Sequence, residues 1–301
     1  MAYGFDLTGL TPFTDELSYE LVSKAVLNTK ELDNISVRTG LSAGTVQVTQ
    51  LDADFIAGDL TCGWNSEGQV SLTPFDIVIK DKEFKTQICA EDLRSIYQSM
   101  KMNASAYASE EIPNELQAAL ADLYTKKVQA SISDFVINGD GVATGLKQQI
   151  TAANGANVPA GAAAWTLSNA IDQALDLVDA IGDESADAED LVMFVSPANF
   201  RTLSRALVQS NLYHFVPSDN TEELILPGTS VKVIKSSGLK GSDRVFVGKK
   251  SDMIFGTGLE SDASTFNIFY DQSNDVTKIK IKFREGILAI NIDQFATNDL
   301  V

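Results

Sequence analysis

The chain has 301 residues, 44% hydrophobic and 21% charged, enough length and apolar content for one elaborate domain or two simple ones around a sizeable core. Its 41 acidic against 23 basic residues give a formal net charge of -18, which opposes sequence-specific binding to a phosphate backbone. No run of about 18 apolar residues and no leader with a basic head occurs, so we expect a protein kept in the cytoplasm without a membrane span.

Thr14 is placed to cap a short amphipathic helix through "DELSYELVSKAVLN", with Leu17, Leu21 and Ala25 on one face. From Ile35 to Ile56 the texture turns to Gly, Thr, Val and Gln, which predicts extended chain with one strand, an arm with little core of its own. Next, alternating Phe75, Ile77 and Ile79 precede "KDKE" and then Phe84, Thr86 and Ile88, which reads as a long projecting hairpin turning at the charges. A short helix is expected at about 91–102.

Pro113 suits a helical first turn, and Leu116, Leu120, Leu123, Val128, Ile132 and Phe135 then recur every three to five residues. The spacing predicts one helix roughly 36 Å long that stops at "NGDG". Residues 150–165, "ITAANGANVPAGAAAW", are small and low in complexity and read as a linker. A compact mixed unit follows: the helix "LSNAIDQALDLVDAIG" closed by Gly182, the buried strand "DLVMFVSP", the helix "ANFRTLSRALVQ", and strands in "SVKVIKS", "RVFVGK" and "DMIFGTG". The end reads as a strand "DVTKIKIKF", a tight "REG" turn and a strand "ILAINID".

Chemical motifs are few. "GLSAG", Gly40 to Gly44, matches the G-x-S-x-G nucleophile elbow around Ser42, with His214, the chain's one histidine, as the available base; that elbow needs a helix after the serine, and strand-like "TVQVTQ" follows instead. Gly139, Gly141 and Gly145 are spaced as in phosphate-binding loops, but they leave a helix rather than enter one. Asp183 to Asp190, "DESADAED", lacks calcium-loop spacing and reads as a solvated connection. Cys62 and Cys89 form no disulfide framework and read as packing residues. No cofactor, metal or catalytic residue is expected.

Taken in order, the arm, the hairpin, the helix exit "NGDGVATGL", the stretch "LVMFVSPANFRTLSRAL", the strands of "LPGTSVKVIKSSGL" and "DRVFVGKKSDMIFG", and the closing "IKIKFREGILAINIDQF" resemble the major capsid proteins of tailed phages (Caudoviricetes). The likeness is one of order and texture over nearly the whole chain. It implies an α+β protein with the HK97-like capsid fold: an N-terminal arm at 1–66, an E-loop at 67–90, a P domain at 91–165 with its spine helix at about 113–137, an inserted α/β A domain at 166–274, and closing P-domain strands at 275–301. It further implies a non-enzymatic structural protein of the virion, assembled in the host cytoplasm into an icosahedral shell of hexamers and pentamers around double-stranded DNA. Portal and scaffold proteins would be its partners. An encapsulin-type compartment shares the fold and is the alternative; a hydrolase using Ser42 is the alternative from another class.

One local oddity stands out in so acidic a chain. Lys278, Lys280, Lys282 and Arg284 alternate with Ile279, Ile281 and Phe283, so four cations share one face of one strand. They are a solvated face, a contact with acidic surface on a neighbouring subunit, or a weak contact to DNA. With Phe75, Ile77 and Ile79 of the hairpin they form the candidate inter-subunit contact set.

Overall fold

The computed structural model describes residues 30–55, 68–89, 114–182, 185, 188–212, 223–258, 265–271 and 276–300. The helices expected after Thr14 and at about 91–102 lie outside those residues, as do Cys62 and His214. Among the described residues no helix is long and apolar enough to cross a membrane.

A four-residue helix α1 (Lys30–Asp33) opens the described chain, and Leu32 and Ile35 behind it are buried in the main core. Residues read from sequence as arm are thus part of the body here. Glu31 fixes them: its buried Oε1 accepts hydrogen bonds from Ser133 Oγ, Ser236 Oγ and the Ser237 amide. A carboxylate out of water is tolerable with such a set of donors.

Strands β1 (Ser36–Arg38), β2 (Gly44–Phe55) and β3 (Gly68–Cys89) follow, then helix α2 (Asn114–Asn138). Its buried Val128, Ile132, Phe135 and Val136 sit at the three-to-four-residue spacing of one helix face. The helix ends as the sequence indicates, at Gly139 with φ +70°; a Cβ there would lie 2.1 Å from the Ala143 carbonyl oxygen, so only glycine fits. Asp140 then folds the turn onto itself, its Oδ1 accepting from the amides of Val142 and Ala143. These amides, which a phosphate-binding loop would offer to a ligand, are taken. A one-turn helix α3 (Leu146–Gln149) closes the segment.

The mixed unit is built on a five-stranded sheet. Its strands are β4 (Leu191–Val195), β5 (Glu223–Ile225), β6 (Lys232–Lys235), β7 (Phe246–Lys249) and β11 (Ala296–Thr297), in the order β11-β7-β4-β6-β5. Central β4 is buried along its whole length and pairs in parallel with β6. Helix α4 (Ala170–Asp179) precedes β4, and α5 (Pro197–Gln209) makes the crossover to β6; Leu177, Leu203 and Leu207 pack with Met193 and Val195. Ser196 caps α5 through its Oγ, with Pro197 in the first turn. α4 is not closed by a left-handed Gly182: it caps at Ala180, and Gly182 is small because Gln294 lies against it, 2.4 Å from where a Cβ would be.

The second sheet corrects two expectations at once. It runs β1-β8-β10-β3-β2, where β8 is Met253–Gly256 and β10 is Val276–Ala289, with β9 (Thr265–Asp271) also on β10. "KDKE" is no turn: β3 is a single strand of 22 residues. Its first half, Gly68 to Ile79, pairs with β2, and its second half, Lys80 to Cys89, pairs with β10. "REG" is no turn either, because β10 continues through it, leaving β3 after Glu285 and joining β8 from Gly286. Gly286 allows the two long strands to cross at close range; a Cβ on it would stand 2.6 Å from the Val78 carbonyl oxygen. Ile279, Ile281 and Phe283 of β10 are buried together with Ile132 and Phe135 of α2 in the main core.

Candidate assembly interface

β2 and β3 form a hairpin of twelve paired residues per strand in unbroken register, from Gly44 opposite Ile79 to Phe55 opposite Gly68. Side chains alternate between its faces, and directly opposed residues share a face. Near the body the apolar residues Phe75, Ile77 and Ile79 lie on the same face as Val46 and Val48, and this face packs on Ile254 and Ile290. Farther out the pattern changes phase. Leu51 and Leu72, opposite each other, and Val70 two residues on occupy the other face. They are 66%, 67% and 55% exposed, and Gln69 to Pro74 are exposed without exception.

The hairpin is therefore amphipathic twice, with its apolar side reversed between root and outer half. A hairpin standing in water has no need of an apolar outer face. At about 3.4 Å per residue the outer six pairs reach roughly 20 Å beyond the core. Ile77 and Ile79, expected among inter-subunit contacts, are instead fully buried in the chain's own core, because the root face packs on β8 and the end of β10; Phe75 is half-buried beside them. Sequence reasoning did not single out the outer, exposed Leu51, Val70 and Leu72.

The basic row of β10 has its counterpart in the same chain. Antiparallel pairing sets "KDKEFK" of β3 against "KIKFRE" of β10, so Asp81, Glu83 and Lys85 share the outer face with Lys280, Lys282 and Arg284. Lys280 Nζ is 2.7 Å from Glu83 Oε1, Arg284 Nε 2.8 Å from Asp81 Oδ1, and Lys278 contacts Asp271 of β9. Hydrogen bonds from Lys280 and then Lys85 hold the Glu83 carboxyl down at about 2. Three of the four cations thus already hold carboxylates of their own chain, which weakens the case for either a DNA contact or a neighbour's acidic surface.

The inner face at the crossing point carries a different group. Burial pushes the Glu285 carboxyl up to about 8, against the pull of Lys82, whose Nζ stands 3.8 Å away. The same Nζ lies 2.7 Å from Asp140 Oδ2, and this bond is the first cause holding Asp140 well below the usual carboxylate range. A groove of about 610 Å³ runs along the hairpin root between Phe75, Val78, Val142 and Ile287.

Ser42 is exposed between β1 and β2 with no helix after it, so the strained elbow is not formed. Of the acidic run, Glu189 and Asp190 are exposed, while Asp183, Glu184 and Asp187 lie outside the described residues. No group of three potential ligands gathers to hold a metal among the described residues.

No protein-family model matches the sequence, and no curated protein matches it. The fold does have counterparts among solved structures. Over 91% of this chain and 88% of the other, it is similar to the capsid chain of an empty GTA particle, at 15% identity and a TM-score of 0.59. The satellite phage P4 procapsid that includes the size determination (Sid) protein matches over 92% and 96% of the two chains, at 10% identity and a TM-score of 0.53. The capsid of Myoviridae phage XM1 matches over 89% and 90%, at 14% identity and a TM-score of 0.52. The α+β fold of this chain is that of phage capsid chains.

Proposed function

We propose that the chain is a major capsid protein, a non-enzymatic subunit that self-assembles into a closed icosahedral shell around double-stranded DNA. The observation that carries this reading is the outer half of the β2–β3 hairpin, whose apolar face finds no cover on its own chain among the described residues. A second copy supplies that cover, and because the hairpin of one copy meets a different surface on the next, the contact is heterologous and repeats until symmetry closes it. The fold shared with phage capsid chains supports the same conclusion.

In this reading the hairpin stands where the resemblance puts the E-loop, with 67–90 supplying one strand and 44–55 the other. α2 is the spine helix of a P domain drawn from 91–165 and 275–301, and 166–274 is the A domain, with β8 and β9 of that range lying on β10 and β11 of the closing segment lying on β7. Hexamers and pentamers would form the shell, with portal and scaffold proteins as partners during assembly in the host cytoplasm. The net charge of -18 suits a container whose DNA must enter and leave without adhering.

Electron microscopy of the purified full chain, with nuclease protection of particles recovered from producing cells, tests the proposal. Uniform polyhedral particles, with protected DNA when made alongside a packaging system, are expected. A homogeneous monomer under all conditions, with and without scaffold, would overturn it.

A further inference from the structure

The crossing of β3 and β10 gathers charges for which shell contact gives no reason. From β10 comes Glu285, 3% exposed, with its Oε2 buried and lacking any hydrogen-bond partner. From β3 come Lys80 and Lys82, with Glu83 at the rim; from α2 comes Asp134, and from its exit turn Asp140. Phe84, Phe135 and Phe283 wall this recess of about 250 Å³. Lys82 is placed between two carboxyls of unlike surroundings, 2.7 Å from partly exposed Asp140 and 3.8 Å from buried Glu285, with its ammonium 5.6 Å from the Phe135 ring centre.

We propose that Lys82 is a two-position latch: on Asp140 it ties the hairpin root to the exit turn of α2, and on Glu285 it ties β3 to neighbouring β10 and leaves the turn held only by the longer Lys80 contact of 3.9 Å. The proton on Glu285 selects the position. While that carboxyl is neutral, Asp140 is the one full negative charge in reach and takes the ammonium. Once Glu285 ionises, its charge is out of reach of water and next to the Asp140 charge, so it gains most from a counter-ion. An ammonium shift of roughly 1 Å then makes a Lys82–Glu285 hydrogen bond. Asp140 loses less by the exchange, since water reaches it and Lys80 Nζ is already 3.9 Å away.

The latch sits where β3 passes from the body to the projecting hairpin, so it would set how firmly that hairpin is aimed. That consequence rests on the shell reading; the latch itself is a property of one subunit and is tested on one. Hydrogen exchange of the unassembled full chain is measured at pH 6.5, 7.5 and 9.5, with rates corrected for intrinsic chemistry. In the wild type, protection across 138–146 should fall about tenfold between pH 7.5 and 9.5, while the β3–β10 amides at 80–85 keep theirs. Glu285→Gln, which mimics the protonated group, should flatten this response, and Lys82→Met should leave the turn weakly protected at every pH.

Equal pH responses in wild type and Glu285→Gln, or none in the wild type, would overturn the latch. Should the Gln variant not fold, a carbon-13 titration of wild-type Glu285 decides instead, and a midpoint in the ordinary carboxylate range overturns it. Particles that form with no such exchange response would remove the latch alone. A response without particles would remove the shell reading alone.

Discussion

The outer hairpin face offers the sharpest test, through the paired substitution Leu51→Lys with Leu72→Glu. The two positions are directly opposite, so the new charges attract across the strands and the hairpin keeps its register. Both side chains are about two-thirds in water already, so the isolated subunit should change in stability by no more than about 0.5 kcal/mol. Assembly is another matter. Full burial of a leucine contributes about 1.5–3 kcal/mol, and roughly two-thirds of it remains to be gained by each of Leu51 and Leu72, giving about 3 kcal/mol per hairpin. Losing that much raises the threshold concentration for particles by roughly a hundredfold, before any cost of burying the new charges. Sedimentation velocity over a concentration series reads the threshold, and near-UV circular dichroism checks the fold. A folded variant that assembles at the wild-type threshold would refute the argument that this face meets a neighbour, and a variant that no longer folds would refute the argument that it meets water.

Two further outcomes follow from the body of the chain. Gly139→Ala should destabilise by at least about 2 kcal/mol, since a left-handed residue would also press a methyl group into the Ala143 carbonyl, and chemical denaturation measures it. Stability should also vary with pH through Glu285. Its carboxyl keeps its proton up to about 8 when folded but releases it near 4.5 when unfolded, so its contribution is complete below about 4.5 and is lost as pH rises to about 8. Asp140 acts oppositely, its contribution being present above the ordinary carboxylate range and lost as pH falls below it. In urea titrations from pH 5 to 9, Glu285→Gln should therefore flatten the downward slope; a wild type with no slope would refute the protonated assignment.

Periodicity made α2 and α5 legible and an unbroken apolar run made β4 so, with boundary residues at Gly139, which ends α2, and Ser196, which caps the start of α5. "KDKE" and "REG" misled because charged residues and glycine are turn formers only by default. Here the charges face complementary charges across a ladder and the glycine faces a crossing backbone, and both partners are some 200 residues distant. The hairpin's outer face did leave a trace in the sequence: apolar residues of β3 change parity, from Val70 and Leu72 to Phe75, Ile77 and Ile79. A phase change within one strand indicates that each half faces something different. Glu285 left no trace, since an acid after an arginine reads as surface, and only the tertiary crossing buries it.

The partner exchange of β3 also imposes an order in time. Its pairing with β2 closes over a short connection and can form as soon as residue 79 is made, whereas its pairing with β10 must wait until residue 285 has been synthesised. β1 likewise waits for β8, and β7 for β11 at the very end of the chain. On the shell reading proposed above, a growing chain therefore carries the apolar outer face of the hairpin long before it has a body to hold it, and during that interval neighbouring chains would meet through it with no fixed geometry. Slowing synthesis of the β10 segment, Val276–Ala289, would lengthen the interval and shift the product from folded subunits toward aggregates.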